Sequence, residues 1–319
     1  MAWTTPDKAT RSAWLARELG IDEPRYLAPT RQRGPRAALF KYPWQLVRTA
    51  WLLARRRPTL VLVQSPPSFA AWVAAGYTLL RRARFAIDAH SDAFERSVWT
   101  RPAGVTRFVA RRAAVTIVTN EHWAHIVRGW GGRALVIRSL PTPHPAGDPP
   151  PMSGATNVAV VNTWASDEPL DAVLEAAASL PEIQFHVTGR GDRVARLAQP
   201  IPSNVHFTGF LDEPAYHGLL SASDAVICLT TRNHTMQNGA SEAMSHGTPV
   251  ITSDWPLLRD YFDEGTVHVD NTAPGIAAGV RALLADPQAA RAGMARLRQR
   301  RREEWEAARA ELVEILEAR

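Results

Sequence analysis

Apolar residues recur along the first half of the chain in two alternating rhythms. Helical spacing marks Arg11–Leu19 and Pro43–Arg57, where apolar positions return every three or four residues. Between such stretches lie short, almost wholly apolar runs: Thr59–Gln64, Arg84–Asp88, Ala114–Thr119 and Ala134–Ser139. Runs of this length, closed by breakers such as "SPPS" after Gln64, predict buried strands. Further helices are predicted from about Phe69, Ala103 and Asn120, the last a suitable N-cap. Strands this apolar, separated by helices, predict a parallel sheet covered on both faces.

The proline-rich break "LPTPHPAGDPPP" (Leu140–Pro151) predicts a linker, after which the alternation restarts. Strands are predicted at Asn157–Asn162, Ile183–Gly189, Asn204–Phe210 and Asp224–Thr230, with helices at Leu170–Leu180 and from Pro214. The chain therefore predicts an α/β protein of two doubly wound, Rossmann-like domains, residues 1–145 and 152–300, with ligand expected in a cleft at the carboxyl ends of the strands. Residues 301–319 predict a helix that packs back across the domains through Trp305, Leu312, Ile315 and Leu316.

Composition narrows the class. Hydrophobic content of 45% and charged content of 21% exclude a disordered chain. The single cysteine, Cys228, lies in the apolar run "AVICLT" and predicts a reduced, cytoplasmic protein. The start "MAWTTPDKATRSAW" lacks the apolar core of a signal peptide, and the longest nearly apolar segment, Phe69–Leu80, is far short of a membrane span. Residues 1–150 carry 23 Lys and Arg against 9 Asp and Glu, the remainder 14 against 22. A basic first half and an acidic second half predict different partners for each. Arginines mixed with Trp44, Trp51, Trp72 and Trp99 suit a peripheral contact with an anionic membrane, on its inner face, as well as ordinary solvated helix backs. No recognisable nucleic-acid module is present, and nucleic acid is not expected as a partner.

The chemistry concentrates in "HTMQNGASEAMSHGTPVITSDW" (His234–Trp255). Its loop follows a strand and opens a helix, where unpaired N–H groups favour a phosphate. Gly239 permits close backbone approach. Glu242, placed by the pattern in the first turn, suits hydrogen bonding to a ribose diol.

The order "NVHFTGFLDEPAYHGLLSASDAVICLT", "GASEAMSHGTPVITSDW" and "IAAGVRALLADP", over about Asn157–Pro287, resembles the nucleotide-sugar-binding domain of glycosyltransferase family 4 and its GT-B relatives. The resemblance implies that Glu242 binds the nucleotide ribose, that Thr235, Met236, Gln237, Asn238, Gly239 and Ala240 cradle diphosphate and sugar, and that Gly209, Phe210 and Leu211 line the base. Where the family has a glutamate near the donor sugar, eight residues before Glu242, this chain has His234. The basic pair that many members place after the first strand of this domain is absent from "NTWASDEPLDAV". That stretch, with Thr163 and Trp164, is instead similar to a signature of the chitobiosyldiphosphodolichol β-mannosyltransferases, as are "QSPPS" and "DAHSD". In "TGRGDR", which begins at a strand's carboxyl end, Gly189, Arg190 and Arg193 are candidates for holding the diphosphate.

In the first domain, His90 and Asp92 follow a strand and are candidate bases toward an acceptor hydroxyl, with Ser91 an acceptor-binding candidate. Arg11 and Ser12 resemble the point where relatives contact acceptor. Relatives begin with an apolar strand, and here only "MAWTTPDKAT" precedes the first helix, which predicts a strand truncated or reduced to a few residues.

The resemblance implies a hexosyltransferase (EC 2.4 type) taking a sugar from a GDP- or UDP-linked donor to a hydroxyl of a glycan, a lipid-linked acceptor or a polysaccharide precursor. It needs no cofactor and no metal, and relies on positioning and leaving-group stabilisation. A nucleotide-sugar epimerase or a non-catalytic nucleotide-sugar-binding subunit would share the fold. A phosphorylase would need a cofactor lysine, and Lys8 and Lys41, the only lysines, lie in the first half.

Overall fold

The apolar runs become the strands of two parallel sheets in a computed structural model of the chain, which describes residues 1–3, 10–21, 25–28, 35–138, 144–191, 194, 197 and 200–318. The chain divides into two compact units, Met1–Arg138 with Trp305–Arg319, and Ser139–Glu304. Residues 139–143 of the proline-rich break and Arg193 lie outside the described residues.

The first unit runs α1 (Thr10–Glu18), α2 (Pro35–Arg56), β1 (Leu60–Ser65), α3 (Phe69–Leu80), β2 (Arg84–Ala89), α4 (Asp92–Glu95), α5 (Ser97–Thr100), α6 (Ala103–Arg112), β3 (Val115–Val118), α7 (Glu121–Gly129) and β4 (Ala134–Val136). Its strands lie in sequence order, β1-β2-β3-β4, all parallel. Val63, Phe85, Val118 and Ala74 are among the side chains buried in its core. Burial of a side chain the size of valine or phenylalanine contributes roughly 1.5–3 kcal/mol. Met1 lies alongside β1, its carbonyl accepting from the Gln64 N–H at 3.0 Å, and Ala2 pairs in parallel with Tyr26. Asn120 caps α7 as its residue type predicts, accepting from the Trp123 N–H at 3.1 Å. The helix expected from Pro43 instead begins at Pro35 and runs through Pro43, which lacks only the N–H donor of one turn.

The second unit continues β5 (Asn157–Val160), α8 (Leu170–Ala178), β6 (Gln184–Thr188), β7 (Val205–Gly209), α9 (Glu213–Ala222), β8 (Ala225–Cys228), α10 (Asn238–His246), β9 (Val250–Ser253), α11 (Pro256–Tyr261), β10 (Thr266–Val269) and α12 (Ala273–Leu284). The last helix, α13 (Pro287–Glu317), is continuous, with no break at residue 301, and its residues from Trp305 belong to the first unit. Strand order is β10-β9-β8-β5-β6-β7. β5 and β8–β9 are buried on both faces, as Val158, Ala159, Val226, Ile227 and Ile251 show. The direction of winding therefore reverses at β5: β6 and β7 lie to one side of it, β8 and its successors to the other. Loops after β5 and β8 consequently open side by side at the carboxyl edge, where an open α/β sheet binds its ligand. Among the described residues no helix is long and apolar enough to cross a membrane.

Candidate functional site

Two loops frame the switch point of the second unit, and a pair of carboxylates ties them. Glu168 closes the loop after β5, accepting from the Thr163 N–H (2.8 Å), the Thr163 hydroxyl (2.8 Å) and the Ala165 N–H (2.9 Å). Its neighbour Asp167 reaches the loop after β8. There it accepts from the Thr230 hydroxyl at 2.7 Å and lies 3.4 Å from the Arg232 guanidinium, while its carbonyl accepts from the Thr231 N–H. Thr163, expected to bind donor, thus directs its hydroxyl and amide to Glu168 and shapes the loop. Sequence reasoning missed Asp167, Glu168 and Arg232, although the Asp-Glu pair of "NTWASDEP" was in view.

Trp164 has φ 62° and its ring lies 6.0 Å from that of Phe207 on β7. Gly189, at φ 109°, ends β6 against this turn: a Cβ there would stand 2.5 Å from the Asn162 carbonyl and 3.0 Å from the Trp164 indole nitrogen. Gly189 is therefore required for the two loops to meet. Arg190 follows it, exposed. Gly209 ends β7; Phe210 beyond it is 86% exposed, leaving its ring open to a ligand, while Leu211 packs into the core beside Tyr216.

After β8 the chain turns through Asn233, whose side chain accepts from the His234 N–H at 2.8 Å. His234 adopts φ 60°, a left-handed conformation uncommon outside glycine but enriched in histidine. Thr235, Met236 and Gln237 are half-buried, and the Cys228 thiol donates to Gln237 Oε1 at 3.2 Å. Burial pushes that thiol up to about 12, against the opposing pull of the Ala240 and Gly239 amides.

One expectation about this helix is corrected. α10 begins at Asn238, so Glu242 stands in its second turn, not its first; the chain before Asn238 is held in the loop by Gln237 and Asn233. Gly239 is required by packing, whatever else it does. A Cβ on it would meet Val161 Cγ1 at 2.7 Å and Cys228 Sγ at 3.1 Å, so it lets α10 sit close on the ends of β5 and β8. Glu242 itself is half-buried and accepts a 2.7 Å hydrogen bond from the Tyr216 hydroxyl. Burial, then the Glu242 charge, raises the Tyr216 phenol well above its ordinary 10, so it remains a donor.

In the first unit, the residues of three quoted segments converge on Asp88, which the sequence reading did not single out. Asp88 is 1% exposed and pairs in register with Gln64 of "QSPPS". The Arg11 Nε donates to its Oδ1 at 3.1 Å, and the other guanidinium nitrogens donate to the Ile137 and Arg138 carbonyls. The Ser12 hydroxyl lies 3.0 Å from Asp88 Oδ2 and 3.2 Å from Gln64 Oε1, its one proton serving both. His90 Nε2 stands 3.4 Å from Asp88 Oδ2, an ion-pair approach without hydrogen-bond alignment. Burial alone would raise the Asp88 pKa. Arg11 and His90 outweigh it and hold the carboxyl well below the usual range. Arg11 and Ser12, expected to bind acceptor, thus point their polar groups inward and support β2. Ser91 is half-buried and Asp92, at the start of α4, is exposed.

Residues 157–286 match the family described as Glycosyl transferases group 1, and residues 4–143 match the Glycosyl transferase 4-like domain. No protein of curated function matches the chain. Among solved structures it is similar to sucrose-phosphate synthase from Thermosynechococcus elongatus, at 18% identity and TM-score 0.68, covering 91% of this chain and 82% of that one. It is also similar to HepE from Anabaena, solved with UDP and glucose, at 14% identity and TM-score 0.67 over 96% and 89% of the two chains. A protein described as a UDP-N-acetylglucosamine 2-epimerase from Listeria monocytogenes aligns at 13% identity and TM-score 0.65, over 95% and 85%.

Proposed function

The chain belongs to the GT-B glycosyltransferases that resemble family 4, and from that premise we propose that it moves a hexose from a GDP- or UDP-linked donor to a hydroxyl of a glycan or lipid-linked acceptor. The observation that carries the reading is Glu242, half-buried in α10 at the sheet's switch point and oriented by Tyr216. With one Glu242 oxygen engaged by Tyr216, the other accepts from the ribose diol. The amides that open α10 and the guanidinium groups of Arg190 and Arg232 offset the diphosphate charge. They replace the basic pair that "NTWASDEPLDAV" lacks. Phe210 offers an exposed ring to the base, and His234 faces the donor sugar in place of the family glutamate.

Catalysis then rests on positioning and on stabilising the departing nucleoside diphosphate, without a metal. The acceptor hydroxyl attacks the anomeric carbon, the bond from that carbon to the diphosphate oxygen breaks, and His90 takes the hydroxyl proton. His90 Nε2 lies 3.4 Å from Asp88 Oδ2, and this neighbouring carboxylate favours His90 over the exposed Asp92 as the base.

The acceptor class has its own support on α2. Phe40, Trp44, Val47 and Trp51 fall on one helical face and are all exposed, whereas Gln45, Thr49 and Leu53 of the opposite face are buried. Both bond inward: the Gln45 side-chain N–H donates to the Leu27 carbonyl, and the Thr49 hydroxyl accepts from the Trp3 indole N–H at 2.9 Å. Arg48 lies 4.2 Å over the Trp51 ring. An apolar outer face bordered by cations suits the plane of an anionic membrane and an acceptor carried there on a lipid phosphate, as in polysaccharide assembly at the cytoplasmic face.

Thermal-shift and calorimetric titration with GDP, UDP, ADP and dTDP tests the reading. One of them stabilises the protein, and Glu242→Ala abolishes that shift. Failure of all four would overturn it. Conversion of the sugar nucleotide without any acceptor would point instead to an epimerase.

A further inference from the structure

A cluster of imidazoles stands apart from the donor loops on the same unit, where residues 144–149 lie against α9. Glu213 and His217 occupy positions i and i+4 of α9 and so share a face of the helix. The His144 ring stacks on that of His217, with centroids 4.0 Å apart and 13° between planes. His144 Nδ1 lies 3.9 Å from Glu213 Oε1. One ligand atom from each of His144, Glu213 and His217 can be chosen so that all lie within 4.8 Å of one another.

The arrangement is held from outside. The Gly147 N–H donates to the Pro214 carbonyl at 2.9 Å. A Cβ on Gly147 would meet Pro214 Cβ at 2.8 Å, and one on Gly218 would meet the Gly147 carbonyl at 2.4 Å. Two glycines in contact with the opposite backbone thus clamp the segment carrying His144 onto the helix carrying Glu213 and His217. His217 is 3% exposed, and its Nδ1 lies 3.0 Å from His246 Nε2 at the end of α10. That contact leaves His217 Nε2 for a further partner. It is the arrangement in which a ligating imidazole has its second nitrogen fixed by a neighbour.

We propose that His144, Glu213 and His217 form a site for a divalent transition metal of the zinc, nickel or cobalt type, with His246 as the residue that orients His217. Two imidazoles and one carboxylate are a borderline donor set, which selects such ions over magnesium or calcium. Three protein ligands leave a coordination position for water. The stacked rings hold their in-plane lone pairs in nearly parallel planes, so coordination requires the half-buried His144 ring to turn away from the buried His217 while the exposed Glu213 side chain closes in by about an ångström. The site joins residues 144–149 to α9 and, through His246, to α10, the helix that carries Glu242. It therefore ties down the framework of the donor site without entering the reaction.

The test uses full-length protein carrying no polyhistidine tag. Calorimetric titration with Zn²⁺ gives one saturable site per chain, Co²⁺ gives the visible absorption of a low-coordinate N/O site, and Mg²⁺ gives neither. Glu213→Gln, at an exposed side chain, and His144→Ala, at a half-buried one, each weaken Zn²⁺ binding at least tenfold, and Glu213→Gln leaves the metal-free melting temperature unchanged. His217→Ala abolishes binding but perturbs a buried position, so the other two variants decide. Absence of a saturable Zn²⁺ site, or unchanged affinity in both of those variants, overturns the proposal. Neither result bears on nucleotide binding, which the Glu242 experiment judges separately.

Discussion

The hydroxyl of Tyr216 on α9 donates a 2.7 Å hydrogen bond to Glu242 Oε2 on α10. Two helices separated in sequence by a whole strand and loop are thereby joined at the carboxylate proposed to hold ribose. The bond is to a charged acceptor and largely sheltered, the class worth roughly 1.5–3 kcal/mol. It removes one of the rotamer choices Glu242 would otherwise have, so part of the ordering cost of binding is met before the ligand arrives.

Tyr216→Phe keeps the ring and deletes only the hydroxyl. Folding should survive, since the ring packs against the same core. Nucleoside diphosphate affinity should fall roughly tenfold, the equivalent of about 1.4 kcal/mol. Calorimetry on the purified variant reads this directly. An unchanged dissociation constant would mean that Tyr216 does not position Glu242.

Asp88 gives a pH prediction. Its carboxyl titrates below its ordinary value of 3.8, so the folded state binds fewer protons than the unfolded state around and below that value. The resulting stability is complete above the ordinary carboxylate range and is lost as pH falls through it toward the depressed folded value. Asp88→Asn leaves Arg11 without its charge partner and should cost about 3 kcal/mol at pH 7. The penalty should shrink as the pH of denaturant titrations is lowered from 5 to 3. A pH-independent difference would show that the ion pair is not its source.

The fold was legible because its signals are local. Runs such as "AVICLT" and "NVAVV" could only be satisfied by burial on two faces, and Asn120 announced its helix. The site was legible in part. Glu242 stands on the helix a strand-loop-helix pattern predicts, one turn further along than expected, whereas Asp88, Tyr216 and Asp167 act through residues 76, 26 and 63 positions away along the chain. No periodicity within a window reports such pairs. Gly239 shows the limit in a single residue: its type called for a close approach, and only the packing shows that Val161 and Cys228 are among what it approaches. The bonds of Arg11 and Ser12 were hidden for the same reason, since both residues lie on α1 and their partner is a buried carboxylate on β2.

The outer face of α2 leads to a binding prediction. Val47 and Trp51 are 70% and 47% exposed and make no contribution to the core. Val47→Asp with Trp51→Glu should leave the unfolding free energy within about 0.5 kcal/mol of the parent protein. The same pair should abolish sedimentation with vesicles of anionic phospholipid. The parent protein should bind those vesicles, weaken as salt is raised, and ignore vesicles of neutral lipid. Equal sedimentation of parent and variant would remove the membrane from the proposed function.

Arg84, the first residue of β2, closes the carboxyl end of α13. Its guanidinium donates to the Ile315 carbonyl at 2.9 Å and the Leu316 carbonyl at 3.1 Å, and also reaches that of Ala318. Carbonyls at a helix end lack intrahelical partners and carry the negative end of the dipole, so a cation there satisfies both at once. The same end is anchored by Trp305, whose ring meets Trp14 at 4.4 Å, and by Leu312 and Ile315, which are buried. Arg84→Ala should therefore cost about 1–2 kcal/mol and lower the melting temperature by roughly 2–8 °C for a unit of this size. Arg81→Ala, an exposed arginine three residues earlier, should change neither. Hydrogen exchange should place the loss in the last two turns of α13, where amides exchange faster in the Arg84 variant while those of α8 and α12 keep their protection. Uniform acceleration across the chain would instead mean that Arg84 acts on β2 and not on the helix end.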